Sequence, residues 1–244
     1  MNVQLIDYTG AGSPDPARHA ANVLVFTKQT RLEMKPELMA EIEAMPWEEI
    51  ERELAYMANT IPSSWEFVSY TFLVTDVTRA FTHQFVRTRT GSYAQQTMRV
   101  LNVKGWDYAT GPSLKGEAAR RYHMTMQEIA NCYDEIIELG GKIEDARGIL
   151  PTNILTNIVA KFDLRTLADT ARKRASKRTQ GEYRSVMEAM RAEVLRVHPW
   201  AALFLDRSFD RSAAELEQAI YDLDISDERK TAMVKLVDQL RMTA

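Results

Sequence analysis

The chain has 244 residues, 45% hydrophobic and 27% charged, with a formal net charge of −3. That composition is ordinary for a globular protein long enough to bury a core, and it lacks the global basic field of a general nucleic-acid binder. A single cysteine, Cys132, excludes an internal disulfide framework and any cysteine-based metal cluster.

The first residues, MNVQLIDYTG, show neither a basic n-region nor an apolar h-region. Apolar runs elsewhere are too short for a membrane span, so a cytoplasmic protein with no membrane partner is expected. Asn2 to Tyr8 alternates as a strand does, and Gly10 to Pro16 is a turn-rich break. Asp15 and Pro16 have the types that cap and open a helix. Helices are expected over Glu37 to Ala44 and Trp47 to Asn59, the latter with Ile50, Leu54 and Met57 on one stripe.

Trp65 to Thr75 is rich in β-branched and aromatic residues and reads as a strand. Thr78 to Phe85 reads as a short helix, and Ser92 to Val103 as extended. Leu114 to Leu139 reads as a long helix, its stripe running through Ala118, Tyr122, Met126, Ile129, Tyr133 and Ile136. Gly140 and Gly141 stop it. Within it, Cys132 is expected as a small buried hydrophobe. Thr152 to Lys161 reads as a strand, and Leu164 to Ser176 and Gln180 to Val197 as helices. Two polar amphipathic helices, about Ala213 to Leu223 and Glu228 to Arg241, form a tail from about residue 205. No repeat or linker interrupts the chain, so one α+β domain over residues 1–244 is the economical reading.

Several common chemistries lack their signatures. There is no G-x-G-x-x-G, no P-loop, no H-E-x-x-H and no G-x-S-x-G elbow. The histidines His19, His83, His123 and His198 have no metal-ligand spacing, so no metal is expected. Two basic clusters remain. Thr82 to Arg99 sets Arg87, Arg89 and Arg99 among Ser92, Gln95, Gln96 and Thr97. Guanidinium forks among short hydrogen-bonding side chains suit a phosphate. If the segment is extended, Arg87 and Arg89 share one side. The second cluster runs from Arg165 to Arg178. Helical spacing puts Arg174 and Arg178 on one face and Arg165, Asp169 and Arg172 on the next, with Asp169 four residues from Lys173. Each cluster also reads as a solvated basic surface, and the second as a nucleic-acid-binding helix.

The blocks themselves resemble the flavin-dependent thymidylate synthase (ThyX) family. That family's signature is Arg-His-Arg, seven residues, then Ser-x-Arg; here Arg87-Thr88-Arg89 is followed after seven residues by Thr97-Met98-Arg99. The lead-in TRAFTHQFVR is similar to the family's S-R-A-x-x-H-Q-x-x-R and supplies Arg79, His83 and Gln84. Arg147 to Asn153 resembles R-x-x-L-P-x-N. Asp163 to Leu167 resembles N-x-R-S-L. Arg174 with Gln180 to Arg184 resembles R-x(5)-Q-x-E-I-R. The blocks keep family order over about Ile61 to Pro199. Thr88, Thr97, Val100, Phe67, Asp163 and Arg178 depart from the pattern, largely at positions on the family's flavin side.

The resemblance implies a mixed subunit with a mainly antiparallel sheet flanked by helices, assembled as a homotetramer. It implies FAD as cofactor, NADPH and methylenetetrahydrofolate as cosubstrates, and C5-methylation of dUMP to dTMP, without nucleic acid as partner. A divergent member acting on UMP or dCMP, or making a hydroxymethyl product, and an inactive nucleotide-binding relative are the alternatives. The residues implied for the nucleotide monophosphate are Gln84, Arg87, Gln95, Gln96, Thr97, Met98, Arg99, Arg147 and Arg174. Of these, Arg174 is the catalytic cation beside the pyrimidine. Those implied for the flavin are Ser63, Arg87, Thr88, Arg89, Gln95, Asp163, Arg165, Asp169 and Arg178.

Overall fold

A computed structural model describes residues 1–100, 105–174, 181–206 and 208–243. In chain order it contains β1 (Asn2–Tyr8), α1 (Pro16–Gln29), α2 (Leu38–Glu43) and α3 (Trp47–Thr60). A 3-10 helix (Pro62–Phe67), β2 (Ser69–Thr78), α4 (Arg79–Phe85) and β3 (Ser92–Gln95) follow. Next come α5 (Gly116–Glu138), α6 (Ile143–Ala146), a 3-10 turn (Arg147–Ile149) and β4 (Leu155–Asp163). The remainder is helical: α7 (Leu164–Arg174), α8 (Gly181–Val197), a 3-10 turn (Pro199–Ala201), α9 (Ala202–Leu205), α10 (Ser208–Asp222) and α11 (Asp227–Thr243). The strands form an antiparallel sheet in the order β1-β2-β4-β3, and the fold is α+β. Among the described residues no helix is long and apolar enough to cross a membrane.

The chain packs as two compact units, Met1–Val3 with Leu73–Ala160, and Gln4–Phe72 with Lys161–Ala244. In the second unit, Asp15 caps α1 by accepting from the Arg18 amide at 2.9 Å, with Pro16 in the first turn. Ile50, Leu54 and Met57 of α3 are fully buried, as their spacing requires. Trp65 to Phe67 are not strand. Pro62 opens a 3-10 turn, and the Trp65 indole donates to the Met57 carbonyl at 3.1 Å while its ring meets Phe204 edge-on at 5.0 Å. The buried Trp65 serves as a core anchor rather than part of a pleat, and β2 begins only at Ser69. His198 is fully buried, its Nδ1 2.9 Å from the Tyr70 hydroxyl and its ring stacked 5.2 Å from Trp200.

In the first unit, the Thr78 hydroxyl caps α4 by accepting from the Phe81 amide at 3.0 Å. The α5 helix buries only Met126 and Tyr133 of the expected stripe, and Ala118 is exposed. Cys132 is exposed, contrary to expectation. It adjoins buried Tyr133, and one residue is about 100° of helix rotation, which turns it off the packed face. The extended segment after Ser92 is shorter than expected. It ends at Gln95, Met98 to Val100 bend, and 101–104 lie outside the described residues.

Candidate functional site

The expected residues divide between the two units. Gln84, Arg87, Thr88, Arg89, Gln95, Gln96, Thr97, Met98, Arg99 and Arg147 belong to the first. Ser63, Asp163, Arg165, Asp169 and Arg174 belong to the second, and Arg178 lies outside the described residues.

The first unit builds a cluster of arginines from three separate stretches. The Arg79 amide donates to the Ile154 carbonyl at 3.1 Å and the Ala80 amide to the Thr152 carbonyl at 2.7 Å. Those two bonds lock the start of α4 against the segment that follows Arg147. The half-buried Arg79 guanidinium donates through Nε to Met98 Sδ at 2.8 Å and through Nη2 to the Gln96 carbonyl at 3.4 Å. Arg147 donates through Nε to the Glu144 carbonyl at 3.1 Å, and the Glu144 carboxylate holds Arg99 Nε at 2.8 Å. Burial lowers the pKa of Arg79, and the charge of Arg147 lowers it further. Among the described residues no carboxylate makes a salt bridge to Arg79 or Arg147. Two like charges held together without a counter-ion are an arrangement that an anion stabilises.

Neighbouring polar side chains are ordered around this cluster. The Gln96 amide donates to the Asn157 carbonyl at 3.0 Å, and Asn157 Nδ2 donates to Gln96 Oε1 at 3.0 Å. Gln95 Nε2 donates to the Thr82 hydroxyl at 2.8 Å, and the Thr97 hydroxyl accepts from the Arg99 amide at 3.0 Å. Asn153 Nδ2 donates to the Ala109 carbonyl at 3.0 Å and also bonds the Tyr122 hydroxyl. Arg87 and Arg89 do not lie in an extended segment. The Arg87 amide bonds back to the Gln84 carbonyl and the Thr88 amide to the Phe85 carbonyl, both at 3.2 Å, so the chain turns here. The Tyr93 hydroxyl ties that turn by donating to the carbonyls of Phe85 at 3.1 Å and Thr88 at 2.8 Å. Sharing a side by strand alternation therefore does not apply to Arg87 and Arg89, and both are exposed.

The second unit holds another basic cluster. Asp163 caps α7, its carboxylate accepting from the Thr166 amide at 2.7 Å and the Thr166 hydroxyl at 3.0 Å. Arg165, two residues on, pairs with Glu66 at 2.6 Å, and Ser63 of the same 3-10 turn as Glu66 bonds the Arg31 guanidinium. Asp169 pairs with Arg172 at 3.1 Å rather than with Lys173, because the i,i+3 geometry and a planar fork serve the carboxylate better. The Arg174 guanidinium lies over the Tyr183 ring, 4.5 Å from its centroid. That contact fixes the cation's direction without consuming its charge.

Arg31 and Glu144 are not among the expected residues, and the resemblance assigns Arg79 no ligand. Arg31 and Glu144 sit in no motif, so no local pattern marks them. Arg79 belongs to a quoted block, and its closeness to Arg147 in space is what marks it.

A family model described as thymidylate synthase complementing protein matches residues 4–200. A flavin-dependent thymidylate synthase of Nitratidesulfovibrio vulgaris is 34% identical over 158 residues, covering 58% of this chain and 64% of that protein. One from Sulfolobus acidocaldarius is 34% identical over 132 residues, covering 53% and 51% respectively. One from Clostridium tetani is 33% identical over 152 residues, covering 55% and 61%. The chain thus spans less than two thirds of the length of these relatives.

Proposed function

Because the chain belongs to the thymidylate synthase complementing protein family, we propose that it catalyses flavin-dependent methylation of dUMP to dTMP. The observation that carries this is the pair Arg79 and Arg147, to which no carboxylate among the described residues makes a salt bridge, beside Arg99. Three guanidiniums suit the dianionic phosphate of a nucleotide monophosphate, and Arg binds it through parallel hydrogen bonds. Gln95, Gln96, Thr97 and Met98 line the approach to the sugar. Gln84 and Arg87 complete the nucleotide side.

FAD is the proposed cofactor, and the residues present fit it. Arg31, Ser63 and Arg165 supply cationic and hydroxyl donors suited to a diphosphate. The Arg165–Glu66 pair is exposed, with 44% and 51% of the side chains open, and such pairs are worth only about 0–1 kcal/mol, so an incoming anion can replace the carboxylate. Arg87, Thr88, Arg89, Gln95, Asp163 and Asp169 are assigned to the remaining contacts with the flavin. Turning a transferred methylene into a methyl takes one hydride, which flavin re-reduced by NADPH supplies. Methylenetetrahydrofolate is the one-carbon donor.

The chain's own part is placement and electrostatics. Arg174, steered by Tyr183, faces the pyrimidine carbonyls and stabilises negative charge as N3 loses its proton. Thr97 is not a nucleophile, since its hydroxyl accepts from the Arg99 amide and has no base beside it among the described residues. The subunits act as a homotetramer in the cytoplasm. One experiment tests the reading: the purified chain is titrated with FAD and then given dUMP, UMP or dCMP with NADPH and methylenetetrahydrofolate. Flavin retention and conversion of dUMP alone are expected. No flavin binding, or turnover of none of the nucleotides, would overturn it.

A further inference from the structure

Among the described residues Asp76 is the only one other than glycine with a positive φ, 56°. That is the left-handed conformation, which L side chains rarely adopt. It interrupts the alternation of β2. Tyr70, Phe72 and Val74 are buried on one face, whereas Asp76 is exposed and Val77 and Thr78 are both buried. Such a bend re-aims the side chains that follow it. Here those are Thr78, which caps α4, and Arg79, which opens it. The Asp76 amide donates to a side chain, Asn157 Oδ1 of β4, at 3.1 Å.

That bond sets a polarity. A backbone N–H can only donate, so the Asn157 oxygen faces Asp76 and its Nδ2 faces away. Nδ2 donates to Gln96 Oε1 at 3.0 Å, and the Asn157 carbonyl accepts from the Gln96 amide at 3.0 Å. The outward group of the Gln96 carboxamide is therefore Nε2, which only donates, on an exposed side chain. The main-chain carbonyl of Gln96 accepts from Arg79 Nη2 at 3.4 Å, so this donor is carried beside the arginine cluster. On the reading of that cluster as a nucleotide site, on which this rests, we propose that Asn157 is a positioning residue for the nucleotide. It holds the Gln96 carboxamide with its NH2 outward, as a neutral donor to a phosphate oxygen on the sugar side. Asp76 supplies the fixed N–H from which that orientation starts. The arginines supply charge, and the oriented amide supplies direction: turned over, it would set a carbonyl oxygen against an acceptor-only phosphate.

The test inverts the amide while keeping its ties. In Asn157→Asp one carboxylate oxygen still accepts from the Asp76 amide. The other can only accept from Gln96, whose carboxamide must then turn its oxygen outward. Calorimetric titration of the full chain with dUMP should show about tenfold weaker binding, the scale of a lost hydrogen bond to a charged group, at an unchanged melting temperature. Deoxyuridine, which lacks the phosphate, should bind both chains alike. Repeating the substitution in Gln96→Leu separates orientation from added charge. That background has no amide to invert, so Asn157→Asp should there change the Kd by about twofold at most. Gln96→Leu alone, at an exposed position outside β4, should itself weaken dUMP binding several-fold. An affinity that either single substitution leaves unchanged overturns the proposal. So does equal weakening by Asn157→Asp in both backgrounds, or a loss shared by deoxyuridine. In each of those cases dUMP binding by the unaltered chain leaves the nucleotide site standing. An unaltered chain that binds no dUMP removes that site and the proposal together.

Discussion

Replacing Arg147 with methionine isolates the contribution of one guanidinium to nucleotide binding. Methionine keeps an unbranched apolar stem, so the loss is chiefly charge and hydrogen bonding. In the structure Arg147 is anchored by Nε to the Glu144 carbonyl, which directs its two terminal nitrogens away from that anchor. A hydrogen bond to a charged group is worth about 1.5–3 kcal/mol, or roughly 10- to 100-fold in affinity. Arg79 opposes part of that loss. Arg79 stays protonated in the variant and still offers its charge and donors to the phosphate. The net expectation is the lower end, about a tenfold weaker Kd for dUMP. Titration calorimetry with dUMP and with deoxyuridine reads it, since only the first carries the phosphate. An unchanged Kd for dUMP, or an equal loss for deoxyuridine, would refute the phosphate assignment of Arg147.

Glu144→Gln should raise dUMP affinity a few-fold in the same titration, because the carboxylate now occupying Arg99 Nε competes with the phosphate. Its melting temperature should barely move, since an exposed pair contributes only about 0–1 kcal/mol; weaker dUMP binding would contradict this. Burial lowers the His198 pKa from 6.5 to about 4, so between those values the unfolded chain binds a proton that the folded one does not. Stability is complete above pH 6.5 and falls as pH drops, by about 2–3 kcal/mol at about pH 4.5 in urea melts, a slope that His198→Gln should flatten. Asp163→Ala should cost about 1 kcal/mol through the lost α7 cap, whereas Asp163→Asn keeps an accepting oxygen and most of that stability. Thermal melts of the two variants distinguish these outcomes.

Periodicity located the helices and strands well where a single face is buried. The α3 stripe and the alternation of β1 are such cases. Residue content misled at Trp65 to Phe67, where aromatics mimic a strand although the indole is anchored to the Met57 carbonyl. Helical periodicity misled at Cys132, because α5 buries only part of the stripe its sequence offers. For the site, motif spacing pointed to Arg99 and Arg147 individually. Their relation depends on Glu144, which bonds one through its carboxylate and the other through its carbonyl. No local pattern encodes a contact of that kind. Arg31 meets Ser63 across 32 residues of sequence for the same reason.

Family membership rests on residues 4–200, and the catalytic reading on the cationic clusters within them. The measurement that tests that reading most directly is the mass of the nucleotide recovered after incubating the FAD-loaded chain with dUMP, NADPH and methylenetetrahydrofolate. The account requires thymidylate, formed by the unaltered chain and lost in Arg174→Ala, with flavin still bound in that variant. Recovery of dUMP alone from the flavin-loaded chain, or undiminished thymidylate from Arg174→Ala, would contradict it.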